Sequence, residues 1–222
     1  MRFDGKRALV TGGNRGIGLA IARQLENLGA EVHSMNSSTD VTNRVTVEKA
    51  RLYFNPVDIL INNAGIFGPV GSALTYDMDE WNRVMAVNLT GQLMMAQAFI
   101  PYMVKRGYGR VVNMSSVAAK DVNPMAPAYS VSKAGVVTLT RLLGKELAKT
   151  GVLVNCVLPH AVNTDLFKNV PQEQIDIMLA KSPMGRFTTV DEVANMVCWL
   201  ASDECSSTTG AAFDCAAGRC QF

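Results

Sequence analysis

The sequence predicts an α/β fold built on a doubly wound parallel sheet, and three observations lead to this prediction. Short β-branched runs alternate with longer amphipathic stretches along the whole chain. The first run passes into a helix through a glycine-rich turn. The run at residues 57–62 is apolar without alternation, which is typical of a strand covered on both faces. Successive βα units with right-handed crossovers make all the strands parallel.

The individual elements follow from the periodicity. The first helix has apolar residues Ile17, Ala20, Ile21 and Leu25 at helical spacing and is closed by Gly29. The predicted strands are residues 7–11, 31–35, 57–62, 109–114, 152–158 and 211–215. The predicted helices are residues 16–28, 43–54, 78–106, 127–149 and 189–202.

The connection after the second strand is unusually short. Only residues 36–39 separate Met35 from Asp40. A crossover to a parallel neighbouring strand takes about a dozen residues or more. We therefore expect the second strand to form an edge of the sheet.

Length and composition define the broad class of protein. The chain has 222 residues, 48% of them hydrophobic, and we expect one domain over residues 1–222. The net charge of +2 gives no support to binding of nucleic acid or of an anionic membrane. No apolar run reaches the roughly 18 residues of a membrane span, and the N-terminus has no signal-peptide core. These features predict a soluble, cytoplasmic protein.

Cysteine and histidine give no sign of a metal site. The five cysteines form no C-x-x-C pair, and the chain has two histidines. Cys156 and Cys198 lie in apolar runs, which favours buried, reduced thiols. We expect no bound metal.

The glycine-rich turn after the first strand predicts a phosphate cradle. Glycines permit a tight turn and a close approach of the backbone to a pyrophosphate, while the helix N-terminus supplies unpaired N–H groups. A strand-to-helix turn can also be glycine-rich for steric reasons alone. The flanking strand and amphipathic helix favour dinucleotide binding. The candidate residues are Gly12, Asn14, Arg15, Gly16, Ile17 and Gly18.

Four motifs in order resemble the short-chain dehydrogenase/reductase family. The turn at residues 11–18 has that family's T-G-x-x-x-G-x-G pattern, and residues 62–65 read N-N-A-G. Asn88 stands in V-N-L-T-G, and Tyr129 and Lys133 form the family's Y-x-x-x-K. Ser116 precedes Tyr129 by thirteen residues, as the family's catalytic serine does. The resemblance runs the length of the chain and implies a Rossmann-like fold.

The resemblance implies an NAD(P)-dependent oxidoreductase that interconverts a ketone or aldehyde and an alcohol by hydride transfer. It makes Tyr129 the general acid/base, while Lys133 lowers the pKa of Tyr129 and binds the nicotinamide ribose. Ser116 is expected to hydrogen-bond the substrate oxygen, and Asn88 to hold a proton-relay water. In isolation, the Tyr129–Lys133 pair reads as a helix surface pair, Ser116 as a strand-end cap and Asn88 as a helix-kink or cap residue.

The resemblance also supplies further cofactor-binding residues. In such folds an acidic residue after the second strand selects NAD. Asn36 occupies that position here, and Arg15 is placed to reach a 2′-phosphate, so NADP(H) is weakly favoured over NAD(H). Arg15 also reads as a solvated loop charge that NAD-using relatives share. The cofactor set adds Asn36, Ser37, Asp40, Val41, Asn63, Ala64, Gly65, Tyr129, Lys133, Pro159, Val162 and Thr164.

Three departures from the family pattern stand out. The usual third strand and its crossover helix are missing between Met35 and Asp40, which leaves six strands. The family's P-G reads Pro159-His160, so the side chain of His160 strains the turn, points into the active-site mouth toward substrate, or turns to solvent. The family's D-G-G reads Ala216-Ala217-Gly218, which puts the usual subunit packing there in doubt.

The substrate is expected to be an uncharged ketone or alcohol. Residues 165–186 are expected to form a lid, and Met125, Ala126 and Phe67-Gly68-Pro69 an apolar mouth. The alternatives are a 3-oxoacyl-[acyl-carrier-protein] reductase, disfavoured by the lack of an Arg-Asp pair after N-N-A-G, and a non-catalytic nucleotide-binding sensor or scaffold. Apolar residues of the long helices, such as Met94 and Phe99, together with the resemblance, predict a homodimer or homotetramer.

Overall fold

The computed structural model describes residues 1–36, 39–162 and 172–219. Ser37, Thr164 and the first part of the expected lid lie outside these residues. The six strands found there form one parallel sheet in the order β2-β1-β3-β4-β5-β6. Their bounds are β1 Arg7–Thr11, β2 Glu31–Met35, β3 Ile59–Asn62, β4 Gly109–Met114, β5 Val152–Pro159 and β6 Ala212–Cys215.

The predicted fold class is confirmed, including the position of β2 at an edge. The helices are α1 Gly16–Asn27, α2 Arg44–Phe54, α3 Met78–Met85, α4 Gly91–Arg106, α5 Pro127–Glu146, α6 Gln172–Ala180 and α7 Val190–Ala201. Helix α2 carries the chain from β2 past β1 to β3. Its N-terminus is capped by Asn43, whose side-chain oxygen accepts hydrogen bonds from the N–H groups of Val45 and Thr46.

The long helix predicted over residues 78–106 is divided in two. A π-helical turn, Ala86–Thr90, joins α3 to α4. Asn88 lies in this turn, and its side chain bonds to both backbone groups of Ile66. Single π turns inside α-helices are commonly found at functional sites, and here the wide turn holds Asn88 against a neighbouring loop.

The sheet is covered on both faces. Helices α1 and α7 pack on one face, where Ile21 and Val197 share one buried apolar cluster with the β-strand residues Val10 and Ile61. Helices α2 and α4 pack on the other, which includes Leu60 of β3. Because both faces are covered, Ile59, Leu60 and Ile61 are completely buried, as the unbroken apolar run predicted. Cys156 and Cys198 are likewise buried and free of disulfides.

The apolar side chains that suggested a subunit interface belong to the core of this chain. Met95, Phe99 and Met103 are each at most 1% exposed and lie in the cluster beneath α4, and Met94 packs against the same cluster. They therefore give no support to an oligomer. Within the described residues, no helix has the length and apolar character that crossing a bilayer requires.

Candidate active site

The glycine-rich turn between β1 and α1 has the geometry of a phosphate cradle. Gly12 and Gly16 have φ angles of +65° and +52°, which L-residues with side chains rarely adopt. A Cβ atom on Gly18 would collide with the carbonyl oxygen of Gly12. Arg15 is the N-cap of α1, and its side chain makes no capping hydrogen bond. The N–H groups of the first helical turn are therefore left for an anion, which fits a pyrophosphate.

Asn63 and Ala64 are tied to this cradle. The side chain of Asn63 donates to the carbonyl oxygens of Thr11 (3.0 Å) and Gly12 (3.2 Å). The Thr11 hydroxyl accepts from the N–H groups of Asn63 and Ala64, each at 2.9 Å. The loop after β3 is thus held beside the loop after β1, at the carboxyl edge of the sheet where α/β proteins bind nucleotides.

Gly65 brings the cofactor loop and the catalytic residues together. A Cβ atom at Gly65 would lie 3.3 Å from Asn88 Oδ1 and 3.4 Å from Lys133 Nζ. The contact with Asn88 is tighter than ordinary van der Waals packing, and the contact with Lys133 is at its lower limit. The structure therefore places Gly65, Asn88 and Lys133, three residues from distant parts of the sequence, around one point.

Tyr129 lies in the first turn of α5 and is only partly exposed. The ring of Phe67 packs on it with a centroid separation of 4.8 Å, so Phe67 does border the active site as expected. Burial raises the pKa of the Tyr129 hydroxyl, and a hydrogen bond with the Ser116 side chain lowers it to a smaller extent. The phenol is thus protonated at neutral pH.

Lys133 is 4% exposed and lies four residues after Tyr129 on the same face of α5. Its Nζ donates to the carbonyl oxygen of Met114 at 2.8 Å and lies 5.6 Å from the centroid of the Tyr129 ring. Burial lowers the pKa of Lys133 to about 8. In this structure Ser116, and not Lys133, is the group that offsets the effect of burial on the pKa of Tyr129.

Ser132 is a site residue that the sequence reasoning did not identify. Asn88 is completely buried, and its Nδ2 donates to Ser132 Oγ at 3.0 Å. Ser132 Oγ in turn donates to the carbonyl oxygen of Tyr129 at 2.7 Å. A serine three residues after Tyr129 on the same helix is placed for this back-bonding. Ser132 therefore connects Asn88 to the helix that carries Tyr129.

The two adjacent serines after β4 have separate tasks. Ser115 Oγ donates to the carbonyl oxygen of Lys133 at 2.8 Å, so it fixes α5 against β4. Ser116 faces Tyr129 and also accepts from the N–H of Ala118 at 3.2 Å. The interpretation of Ser116 as a cap is therefore confirmed, and its catalytic role stays a prediction.

The edge beside β2 holds the residues expected near the adenosine. Val41 is buried, and a Cβ atom on Gly91 would lie 2.8 Å from its Cγ2. Asp40 is exposed, and its carboxylate accepts from the N–H and the hydroxyl of Thr42. Three further expected cofactor residues are exposed at this edge of the sheet: Asn14, Arg15 and Asn36.

The segment after β5 corrects one expectation. His160 is 5% exposed, so its side chain does not turn to solvent. Among the described residues other than glycine, positive φ occurs at Ala217 only, so His160 does not strain its turn in that way either. Pro159 is buried at the end of β5, and Val162 makes a parallel bridge to Thr188. Within the described ranges, histidine, cysteine and acidic residues nowhere cluster as metal ligands.

Comparison with known proteins agrees with this geometry. A family model described as enoyl-(acyl carrier protein) reductase matches residues 35–219. The 2-dehydro-3-deoxy-L-rhamnonate dehydrogenase (NAD(+)) of Sphingomonas sp. (strain SKA58) is 39% identical over 243 aligned positions, covering 100% of this chain and 98% of that protein. The 3-oxoacyl-[acyl-carrier-protein] reductase FabG of Thermotoga maritima is 35% identical, with 95% and 96% covered.

A solved structure extends the likeness to three dimensions. The crystal structure of gox2181 superposes with a TM-score of 0.93 at 32% identity, covering 98% of this chain and 96% of that one. The Sphingomonas alignment spans 243 positions against the 222 residues of this chain, as expected if this chain lacks a segment that its relative has. On sequence, fold and site geometry, the chain belongs to the short-chain dehydrogenase/reductase family and is a nicotinamide-dependent oxidoreductase.

Proposed function

We propose that Tyr129 is the general acid/base for interconversion of a ketone or aldehyde and an alcohol. The observation that carries this assignment is the position of Tyr129 on α5, with Lys133 Nζ 5.6 Å from its ring centroid, in a site closed by Gly65 and Asn88. A bound nicotinamide dinucleotide supplies or accepts the hydride. During reduction, the Tyr129 hydroxyl donates its proton to the carbonyl oxygen, and Ser116 Oγ donates a hydrogen bond to the same oxygen.

Lys133 and Asn88 support this proton transfer. Lys133 Nζ, buried beside Met114 and Gly65, binds the nicotinamide ribose and stabilises the phenolate that Tyr129 becomes after giving up its proton. Asn88 keeps the loop after β3 in position through Ile66, and we assign it the proton-relay water. In this assignment each of the four residues has a separate role in one reaction.

The test is the Tyr129→Phe variant. Removal of the hydroxyl abolishes acid/base catalysis, so kcat should fall by about 10²- to 10⁴-fold while the Kd for the cofactor changes less than twofold. Steady-state turnover and quenching of nicotinamide fluorescence measure the two quantities. Tyr108→Phe is the matched control, because Tyr108 directly precedes β4, its hydroxyl donates to Asp203, and its loss should not affect kcat. Unchanged turnover in Tyr129→Phe would exclude the assignment.

For the cofactor we propose a preference for NADP(H), supported by charge at the β2 edge. No carboxylate stands at position 36, and the exposed cation Arg15 borders the cradle. The name of the Sphingomonas relative specifies NAD(+), so the proposal gives this chain a cofactor preference different from that of its relative. Asn36→Asp should weaken NADPH binding at least tenfold by repelling the 2′-phosphate and should strengthen NADH binding. Tighter binding of NADH than NADPH by the unmodified protein would contradict the proposal.

We retain 3-oxoacyl-[acyl-carrier-protein] reductase activity as a second candidate, because FabG proteins are among the similar sequences. Phe67 stacks on Tyr129 at the mouth of the site, and an apolar ring there favours a small carbonyl substrate over a carrier-bound one. A panel of small ketones and alcohols should be turned over faster than a 3-oxoacyl carrier substrate. The opposite ranking would establish the second candidate. Absence of turnover with every substrate would favour a nucleotide-binding sensor or scaffold.

We also propose a homodimer or homotetramer. The core residues of α4 give it no support, but α5 exposes Val131 (47%) and Leu142 (55%), which are three turns apart on the helix. Burial of such side chains between two copies of α5 would remove them from water. Light scattering should report a mass of two or four chains, and Leu142→Glu should lower it. A monomer at micromolar concentration would contradict the proposal.

A further inference from the structure

His160 lies at the carboxyl edge of the sheet, beside the end of β4. It follows β5 directly, and Ser116 lies two residues beyond β4. The register pairs Met114 with Val157, and the N–H of Ser115 donates to the carbonyl oxygen of Val157. The two strands therefore end side by side, and the residues that follow them line the carboxyl edge of the sheet, where ligands bind.

The proton of His160 is fixed by its neighbour Arg219. The guanidinium Nη1 of Arg219 lies 3.2 Å from His160 Nδ1. Because arginine has no acceptor, Nδ1 must accept this hydrogen bond and carry no proton. The neutral ring therefore carries its proton on Nε2. Arg219 is held in turn by Asp121, whose carboxylate accepts from Nε at 2.7 Å.

The Nε2–H group has no partner. This atom is inaccessible to solvent and makes no hydrogen bond to any described residue, although His160 is 95% buried. The carbonyl of Met178, in helix α6, is near the ring but does not complete a hydrogen bond with Nε2. A buried donor left unpaired costs about 1–3 kcal/mol. Such a donor at the edge of an active site is paired when an acceptor on a ligand reaches it.

The charges around the ring favour an anionic acceptor. The cations Arg219 and Lys181 and one anion, Asp121, act on His160. Because Asp121 is already paired with Arg219, no described carboxylate is left to repel a ligand anion at Nε2. Hydrogen bonds to a charged group are also stronger than those between neutral groups.

We propose that His160 is a specificity-determining residue whose Nε2–H donates to a carboxylate oxygen of the substrate, so that the enzyme acts on oxo acids and hydroxy acids. This inference rests on the proposed function and replaces the uncharged substrate expected from the sequence. The Asp121–Arg219 pair positions the ring and fixes its tautomer. The carboxylate lies at the end of the substrate remote from the carbonyl that Tyr129 protonates.

The experiment compares acids with their esters. Oxo acids of four to eight carbons, each paired with its methyl ester, are assayed with NADPH and NADH. The unmodified enzyme should prefer at least one acid over its ester at least tenfold in kcat/KM. His160→Ala should lower kcat/KM for that acid about 10- to 100-fold, mainly through KM, and should leave the ester within twofold. His160→Gln, which retains an N–H donor, should recover part of the loss.

The controls separate this role from structural ones. His33→Ala removes the other histidine, which is bonded to Glu31 on β2. This variant should leave kcat/KM unchanged for both the acid and the ester. Equal losses for acid and ester in His160→Ala would assign a structural role, and a weaker Kd for NADPH would assign the donor to the cofactor. A wild-type enzyme that never prefers an acid would also overturn the proposal.

The test of His160 can fail or succeed independently of the assignment of Tyr129 as the general acid/base. If Tyr129→Phe retains full activity, the acid–ester comparison still reports on His160. If no oxo compound is turned over, binding of the acids to the NADPH complex is measured by fluorescence. Binding of an acid that is lost in His160→Ala would then support the carboxylate site, and absence of binding would overturn it.

Discussion

The catalytic cluster and the segment after β5, on the two sides of the active-site cleft, differ in how their polar groups are satisfied. On the side of β4 and α5, Asn88, Ser132 and Lys133 are buried and each makes a hydrogen bond within the chain. On the side of β5 and the C-terminal segment, His160 has an unpaired nitrogen and Ala217 has a φ of +48°. The first side retains the family motifs, and the second contains two departures from them.

This difference indicates which residues stabilise the folded state and which destabilise it. A saturated network such as Asn88–Ser132 resists change, because removal of one member leaves others unpaired in the interior. An unpaired donor or a left-handed alanine costs free energy in the folded state, so changes there can stabilise the protein. Substitutions should therefore lower the free energy of unfolding on the first side and raise it on the second. Lys133 is an exception on the first side, because burial of its charge costs free energy.

The largest effect is expected from the titration of Lys133. Its pKa is about 8 in the folded protein and 10.5 when exposed, so the unfolded chain binds more protons between these values. The free energy of unfolding therefore rises with pH in this window, and the penalty is fully present below pH 8. It amounts to roughly 3 kcal/mol. Relative to Lys133→Met, the wild type should gain about 2 kcal/mol from pH 7 to 9.5.

Denaturant unfolding of both proteins at the two pH values measures this gain. The comparison with Lys133→Met cancels the contributions of other groups that titrate in the same range. Lys149→Met, which replaces an exposed lysine, is the control for the loss of a lysine side chain as such. A constant difference between wild type and Lys133→Met across this range would mean that Lys133 is not buried as a cation.

Asn88→Ala should break the network on the first side. The change leaves both backbone groups of Ile66 without their side-chain partner and removes one of the two hydrogen bonds of the Ser132 hydroxyl, so the free energy of unfolding should fall by about 1–3 kcal/mol. Turnover should fall as well, since Ile66 adjoins Gly65. The control is Asn195→Ala, which removes an exposed side chain of α7 and should cost less than about 0.5 kcal/mol. Equal stability of the two variants would contradict the proposed network.

Most of the fold could be predicted from the sequence. The bounds of β1, β2 and β4 match the apolar runs, and the short connection after Met35 correctly placed β2 at the edge. The division of the helix over residues 78–106 could not be predicted, because the π turn depends on a tertiary contact between Asn88 and Ile66. Local periodicity contains no information about such contacts.

The candidate site was predictable to a similar extent. The motif residues Asn88, Ser116, Tyr129 and Lys133 do meet in space. The fixed tautomer of His160 was not predictable, because it depends on Arg219, which is 59 residues away in sequence. The apolar residues of α4 misled the oligomer reasoning for a related reason, since spacing along a helix does not reveal which face the sheet covers.

On the second side, Ala217→Gly should stabilise the protein. Ala217 stands where the family has glycine, and its φ of +48° lies in the left-handed region. That conformation costs an L-residue about 1–2 kcal/mol, of which the greater flexibility of unfolded glycine cancels about 0.5–1 kcal/mol. The free energy of unfolding should therefore rise by about 0.5–1 kcal/mol, which raises Tm by about 2 °C. Ala216→Gly is the matched control, because Ala216 is buried without positive φ and should become less stable. If both glycine variants lost stability, the left-handed conformation of Ala217 would carry no strain, and the contrast between the two sides would reduce to the unpaired nitrogen of His160.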